Sequence, residues 1–147
     1  MLEMRSFIGK VSCGYGAATR NLMPVEALIE DRMRLAPLVS GTLNLQLSEP
    51  YIVRANARIS PREYREAEGL KLQRCLIRDP GGHLHKAIIM RPESHEIDNQ
   101  YHGPAHFEVM GVIHFCRTWN LRVGDEIEVQ VEGDDEWWHS GIGGNAI

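Results

Sequence analysis

The stretch Gly41-Thr42-Leu43-Asn44-Leu45-Gln46-Leu47 sets how the rest of the chain is read. Leu43, Leu45 and Leu47 alternate with Thr42, Asn44 and Gln46, the period of a half-buried β-strand. The leucines share one face, and Thr42 and Asn44 share the other. The plain reading of that second face is a solvated polar surface. A hydroxyl and an amide oxygen side by side are also hard donors. Mg2+ prefers such oxygens and completes its shell with water and substrate phosphates. Upstream, Gly14-Tyr15-Gly16 lets backbone N–H groups approach an anion. By itself that glycine pair is equally an ordinary tight turn.

Working outward, Phe7 to Val11 reads as a first strand that ends in the Gly14–Gly16 turn. Pro24 to Arg34 reads as a helix with Pro24 at its first position and Val25, Leu28, Ile29 and Met33 as its apolar stripe. Tyr51-Ile52-Val53 is a short extended piece. Ser60-Pro61-Arg62-Glu63 is a helix start, with Ser60 and Glu63 forming a capping box, and this helix stops at Gly69. Leu70 to Arg78 alternates as a strand, with Leu70, Leu72, Arg74, Leu76 and Arg78 on one face and Lys71, Gln73, Cys75 and Ile77 on the other. Asp79-Pro80-Gly81-Gly82 turns the chain into a returning strand from His85 to Met90. His106 to Gly111 is a further strand, Ile113 to Trp119 makes one or two helical turns, and Glu126 to Val131 is the last strand. About six strands with few helices favour a small β-barrel.

The chain of 147 residues is long enough for one domain with a real core. It contains no apolar run of membrane-spanning length, and Arg5 and Lys10 bracket too short an apolar stretch for a signal peptide. Cys13, Cys75 and Cys116 are three in number and widely spaced, which is neither a disulfide framework nor a zinc motif. A reducing cytoplasm is the expected location. A net charge of −4 disfavours a nucleic-acid partner, which calls for a basic face. The expected domain runs over residues 1–133. Residues 134–147 have the composition of a disordered tail, with Trp137 and Trp138 docking on the barrel or on a neighbouring subunit.

Three blocks occur in a telling order: Val11-Ser12-Cys13-Gly14-Tyr15-Gly16, then Pro37 through Gly41-Thr42-Leu43-Asn44-Leu45, then Asn120-Leu121-Arg122-Val123-Gly124-Asp125. In this the chain resembles the archaeal CTP-dependent riboflavin kinases, over roughly residues 7 to 132. The Gly-Thr-Leu-Asn block is the most specific element. The resemblance implies an all-β fold with minor α, a single six-stranded cradle-loop (riboflavin-kinase-like) barrel with short helices. It also implies transfer of the γ-phosphoryl of CTP to riboflavin, giving FMN and CDP.

Residue by residue, the resemblance places nucleotide phosphates on the loop Gly14, Tyr15, Gly16, Ala17, Ala18, Thr19 and Arg20, where the family carries more glycine. It assigns Mg2+ to Thr42 and Asn44. It places Glu108 at the flavin substrate, as the best candidate for a catalytic contact to the acceptor hydroxyl. Gln100 stands where the family has a Thr, and His102 coincides with a His of the acceptor pocket. Ile113, His114, Phe115 and Cys116 fall on the family's nucleotide-lining stretch, with Cys116 in place of an Arg. Arg117 follows, but a helical turn carries it about 100° away.

The expected partners are therefore a small-molecule acceptor and a nucleotide, without nucleic acid or membrane; the oligomeric state is open. The histidines read as scattered, because zinc wants three or four convergent ligands and no recognised spacing exists. Two alternatives stay open: a kinase of the same fold with another acceptor, motivated by Gln100, and a non-catalytic nucleotide- or flavin-binding module, motivated by Cys116.

Overall fold

The alternating leucines form strand β2 (Leu43–Gln46), between β6 and β1 in the sheet. The computed structural model describes residues 3–12, 25–39, 41–64, 69–93, 96 and 104–142. The strands are β1 (Arg5–Val11), β2, β3 (Ala57–Ile59), β4 (Leu70–Arg78), β5 (Leu84–Pro92), β6 (His106–Met110) and β7 (Glu126–Val131). The helices are α1 (Glu26–Met33), α2 (Pro61–Tyr64), α3 (Phe115–Thr118) and α4 (Asp135–His139). All pairings are antiparallel, in the order β3-β4-β5-β6-β2-β1-β7. β7 pairs back onto β4 through Cys75↔Val131 and Ile77↔Val129. That pairing closes a six-stranded barrel from β4 to β7 and leaves β3 as a short flap on β4. The expected all-β barrel with minor helix is the observed architecture.

Each strand signal has its local cause. β4 and β5 form a long hairpin running from Leu70↔Pro92 to Arg78↔Leu84. Its turn is fastened by Asp79, whose carboxylate accepts from the His83 N–H at 2.9 Å, and by Gly82 at φ +92. The capping box at Ser60 is present in both directions: Ser60 Oγ accepts from Glu63 N–H (3.2 Å), and Glu63 Oε1 accepts from Ser60 N–H (3.1 Å). Val25, Ile29 and Met33 are buried on one side of the first helix, as their spacing requires.

The structure gives two segments more detail than their sequence reading. Tyr51–Val53 is extended but joins no strand ladder. Its N–H groups go to the Pro104 carbonyl and the Glu96 carboxylate, and the N–H of Arg54 goes to the Gln73 side chain. Tyr51 and Val53 instead plug the barrel interior, and the extra strand forms at Ala57–Ile59. The stretch after Gly133 is ordered through Ile142. Asp134 caps α4 by accepting from Trp137 N–H (2.9 Å), and Ile142 bridges to β5 by donating to the Leu84 carbonyl (3.0 Å). Trp138 is 1 % exposed and donates its indole N–H to the Cys75 carbonyl at 3.1 Å. The tail is thus tied down by a buried aromatic ring and backbone pairing.

Apolar burial divides into two layers. Inside the barrel lie Leu43, Leu45, Ile77, Ile89, Phe107 and Val129, among others. Outside it, Ile29 and Met33 of α1 and Trp138 of α4 cover Leu72, Leu76, Ile88, Met90 and Met110. β4 and the middle of β5 are therefore buried on both faces, the pattern of strands sandwiched between core and helices. Part of the outward surface of β2 and β6 is the exception. It is buried yet polar, and the candidate site lies there.

Candidate functional site

Thr42 and Asn44 point outward from the barrel but are not solvated; they are 3 % and 1 % exposed. Thr42 Oγ1 has no hydrogen-bond partner among the described residues. A buried hydroxyl left unpaired costs about 1–3 kcal/mol, so the geometry leaves a donor oxygen available to a ligand. Asn44 lies directly opposite Glu108 in the β2–β6 pairing. Its Oδ1 is 2.9 Å from His106 Nε2, which comes diagonally from β6. These neutral oxygens fit the donor set Mg2+ accepts.

Glu108 is 8 % exposed. Burial pushes its carboxyl up to about 7, partly countered by the charge of Arg91. A carboxyl titrating near neutrality suits proton transfer. Arg91 fixes the start of this strand. Its guanidinium donates to the carbonyls of Tyr51 (2.7 Å), Pro104 (3.3 Å) and His106 (2.7 Å), and to Glu96 Oε2 (3.0 Å). The backbone bearing His106 and Glu108 is thereby held in place by a buried cation.

Ser12, which precedes the glycine loop, is fastened to the same strand: its N–H donates to the Asn44 carbonyl at 2.9 Å. Gly124 N–H and Val11 N–H interlock β1 with the 121–125 turn, donating to the Val11 and Asp125 carbonyls, each at 2.8 Å. Between the end of β1, the start of β2 and α3 lies a cavity of about 400 Å3. Its polar wall comprises Ser12, Thr42, His114, Cys116 and Arg117; Val11, Leu121 and Val123 make the apolar wall. This volume falls within the range of small-ligand sites, about 300–1,000 Å3.

The nucleotide-lining stretch divides. His114 and Cys116 line the cavity, whereas Phe115 is buried in the barrel core and Ile113 packs against that core. Gly111 makes room for the Phe115 ring, since a Cβ at position 111 would lie 2.4 Å from it. Arg117 also lines the cavity, contrary to the angular expectation. α3 is a single turn lying along the cavity wall, and the long arginine side chain reaches a pocket this wide from the next position.

The loop residues Gly14, Tyr15, Gly16, Ala17, Ala18, Thr19 and Arg20, together with Gln100 and His102, lie outside the described residues. Sequence reasoning overlooked His106 as a partner of Asn44. The available signal was its position two residues before Glu108, on the same face of an alternating strand. The other described histidines have separate tasks. His85 contacts Asp79 (2.7 Å), holding that carboxyl down at about 2, and His114 caps α3. Among the described residues no three His, Cys, Asp or Glu side chains converge, and no helix is long and apolar enough to cross a membrane.

No protein-family model matches this chain, and no curated protein matches it.

Proposed function

We propose that the chain is a small-molecule kinase that transfers the γ-phosphoryl of CTP to the 5′-hydroxyl of riboflavin, giving FMN and CDP. The observation that carries this reading is the buried Thr42 hydroxyl, without a hydrogen-bond partner among the described residues, two positions from Asn44, which pairs with Glu108. The identities of donor and acceptor rest on the resemblance carried by Gly41-Thr42-Leu43-Asn44 and the blocks around it.

Phosphoryl transfer asks mainly for positioning and charge neutralisation. Thr42 and Asn44 would hold Mg2+, which when bound neutralises charge on the phosphate oxygens. Glu108, ionised in about half of the molecules near neutrality, would accept the proton of the acceptor hydroxyl. That oxygen forms its bond to the γ-phosphorus as the bond to the β–γ bridging oxygen breaks, and CDP leaves. Burial of the site would exclude water as a competing acceptor. A second reading keeps the barrel and the donor but changes the acceptor; Gln100, where the family has Thr, favours it.

Phosphorus NMR of the protein with Mg2+, CTP and riboflavin tests the first reading. FMN and CDP should appear, and Thr42→Ala should abolish them. Folded protein that binds CTP and forms no FMN would overturn riboflavin as the acceptor, and a panel of other alcohols would then test the second reading.

A further inference from the structure

Among the described residues the cavity between β1, β2 and α3 is lined by a guanidinium, an imidazole, a thiol and two hydroxyls, and by no carboxylate. Arg117 forms no ion pair among the described residues. Its counterparts Arg74, Arg78 and Arg91 on β4 and β5 each meet an acid. The imidazole is fixed as well. His114 Nδ1 accepts from the Arg117 backbone N–H at 3.2 Å. In the neutral ring the proton therefore sits on Nε2. That nitrogen lies against the backbone of Gly41, 2.8 Å from where a Cβ would stand. The backbone of Arg117 thus orients His114, while its side chain faces the same cavity.

We propose that Arg117 supplies the guanidinium that holds the polyphosphate end of the nucleotide in this cavity. The proposal rests on the kinase reading for the identity of the nucleotide, but not for the chemistry of the pocket. A guanidinium matches phosphate oxygens in a two-pronged geometry, and facing no carboxylate it stays available to them. The Nε2–H of His114 adds a donor beside Thr42. Arg117 would thus hold the anion in a cavity that the hydroxyl-bearing Ser12 and Thr42 also line.

Calorimetric titration with magnesium tripolyphosphate tests the proposal independently of any turnover. The wild-type chain should bind it, and Arg117→Gln should weaken binding at least tenfold. Arg117→Lys should recover part of the loss, and adding Cys116→Arg to Arg117→Gln should recover most of it. Arg117 is exposed on a single helical turn, and circular dichroism should show each variant folded. Binding by Arg117→Gln within twofold of wild type, or no binding by wild type, overturns the assignment. Binding that depends on Arg117, without FMN formation, upholds the assignment and rejects riboflavin as the acceptor.

Discussion

His106 Nε2 lies 2.9 Å from Asn44 Oδ1 across the β2–β6 pair, joining residues 62 positions apart in the chain. The register pairs Asn44 with Glu108 and Gln46 with His106, so the contact is diagonal on the outer barrel face. It holds the Asn44 amide against rotation and so aims its oxygen.

A partner that orients a metal ligand typically changes affinity 10- to 100-fold when removed. His106→Leu should therefore raise the Mg2+ concentration needed for half-maximal CTP binding by about tenfold or more. His106→Gln, which keeps a donor, should restore part of it. An unchanged Mg2+ dependence in the leucine variant would limit His106 to a structural contact.

Glu108 links the site to stability through pH. Its carboxyl titrates near 7 in the fold against 4.5 when unperturbed. Between those values the folded state holds more protons than the unfolded state, so stability falls as pH rises. Glu108→Gln removes that loss. The variant should gain stability relative to wild type from pH 5 to pH 8, on the order of 2 kcal/mol at the upper end, while losing turnover. Urea midpoints at the two pH values read this directly, and an equal offset at both would refute the titration.

Gly41 sits at φ +108 with the His114 ring 2.8 Å from its would-be Cβ. Gly41→Ala meets two obstacles: an unfavourable backbone conformation, about 1–2 kcal/mol, and a clash that must push His114 aside. Thermal denaturation should show the first. Weaker binding of magnesium tripolyphosphate should show the second; full affinity would mean that His114 does not serve the cavity.

Trp138 ties the C-terminal helix to the barrel. Trp138→Ala should cost about 3–5 kcal/mol, the usual loss for a large buried aromatic side chain. Trp138→Phe keeps most of the apolar area and gives up the hydrogen bond to Cys75, for about 1 kcal/mol. Chemical denaturation that left both variants near wild type would show that the segment after Gly133 contributes little to the fold.

The elements most legible in the sequence carry their signal within a few residues. β2 and β7 alternate apolar and polar positions, the β4–β5 hairpin has Asp79 and Gly82 at its turn, and Ser60 and Glu63 cap each other at three-residue spacing. Tyr51–Val53 read as a short extended piece, but which distant groups would take its N–H bonds was not visible, because no local pattern encodes them. The site was legible as residue types at Thr42, Asn44 and Glu108. Its buried character was not, since alternation predicts equally a solvated face and one covered by other parts of the chain. Cys116 and Arg117 show the same limit: helical angle alone separates them, while the width of the cavity brings both to one wall.

The sequence by itself determined the strands, the turns that reverse them and the identity of the polar pair on β2, because propensity, alternation and capping act between near neighbours. Only the tertiary structure decided that β7 closes onto β4, that Trp138 packs over Cys75, and that His106 reaches Asn44. It alone buried Thr42 without a hydrogen-bond partner among the described residues and set Arg117 along the cavity. Burial and contact between residues far apart in the chain arise when the barrel closes, and no local pattern encodes which distant surface will cover a given face.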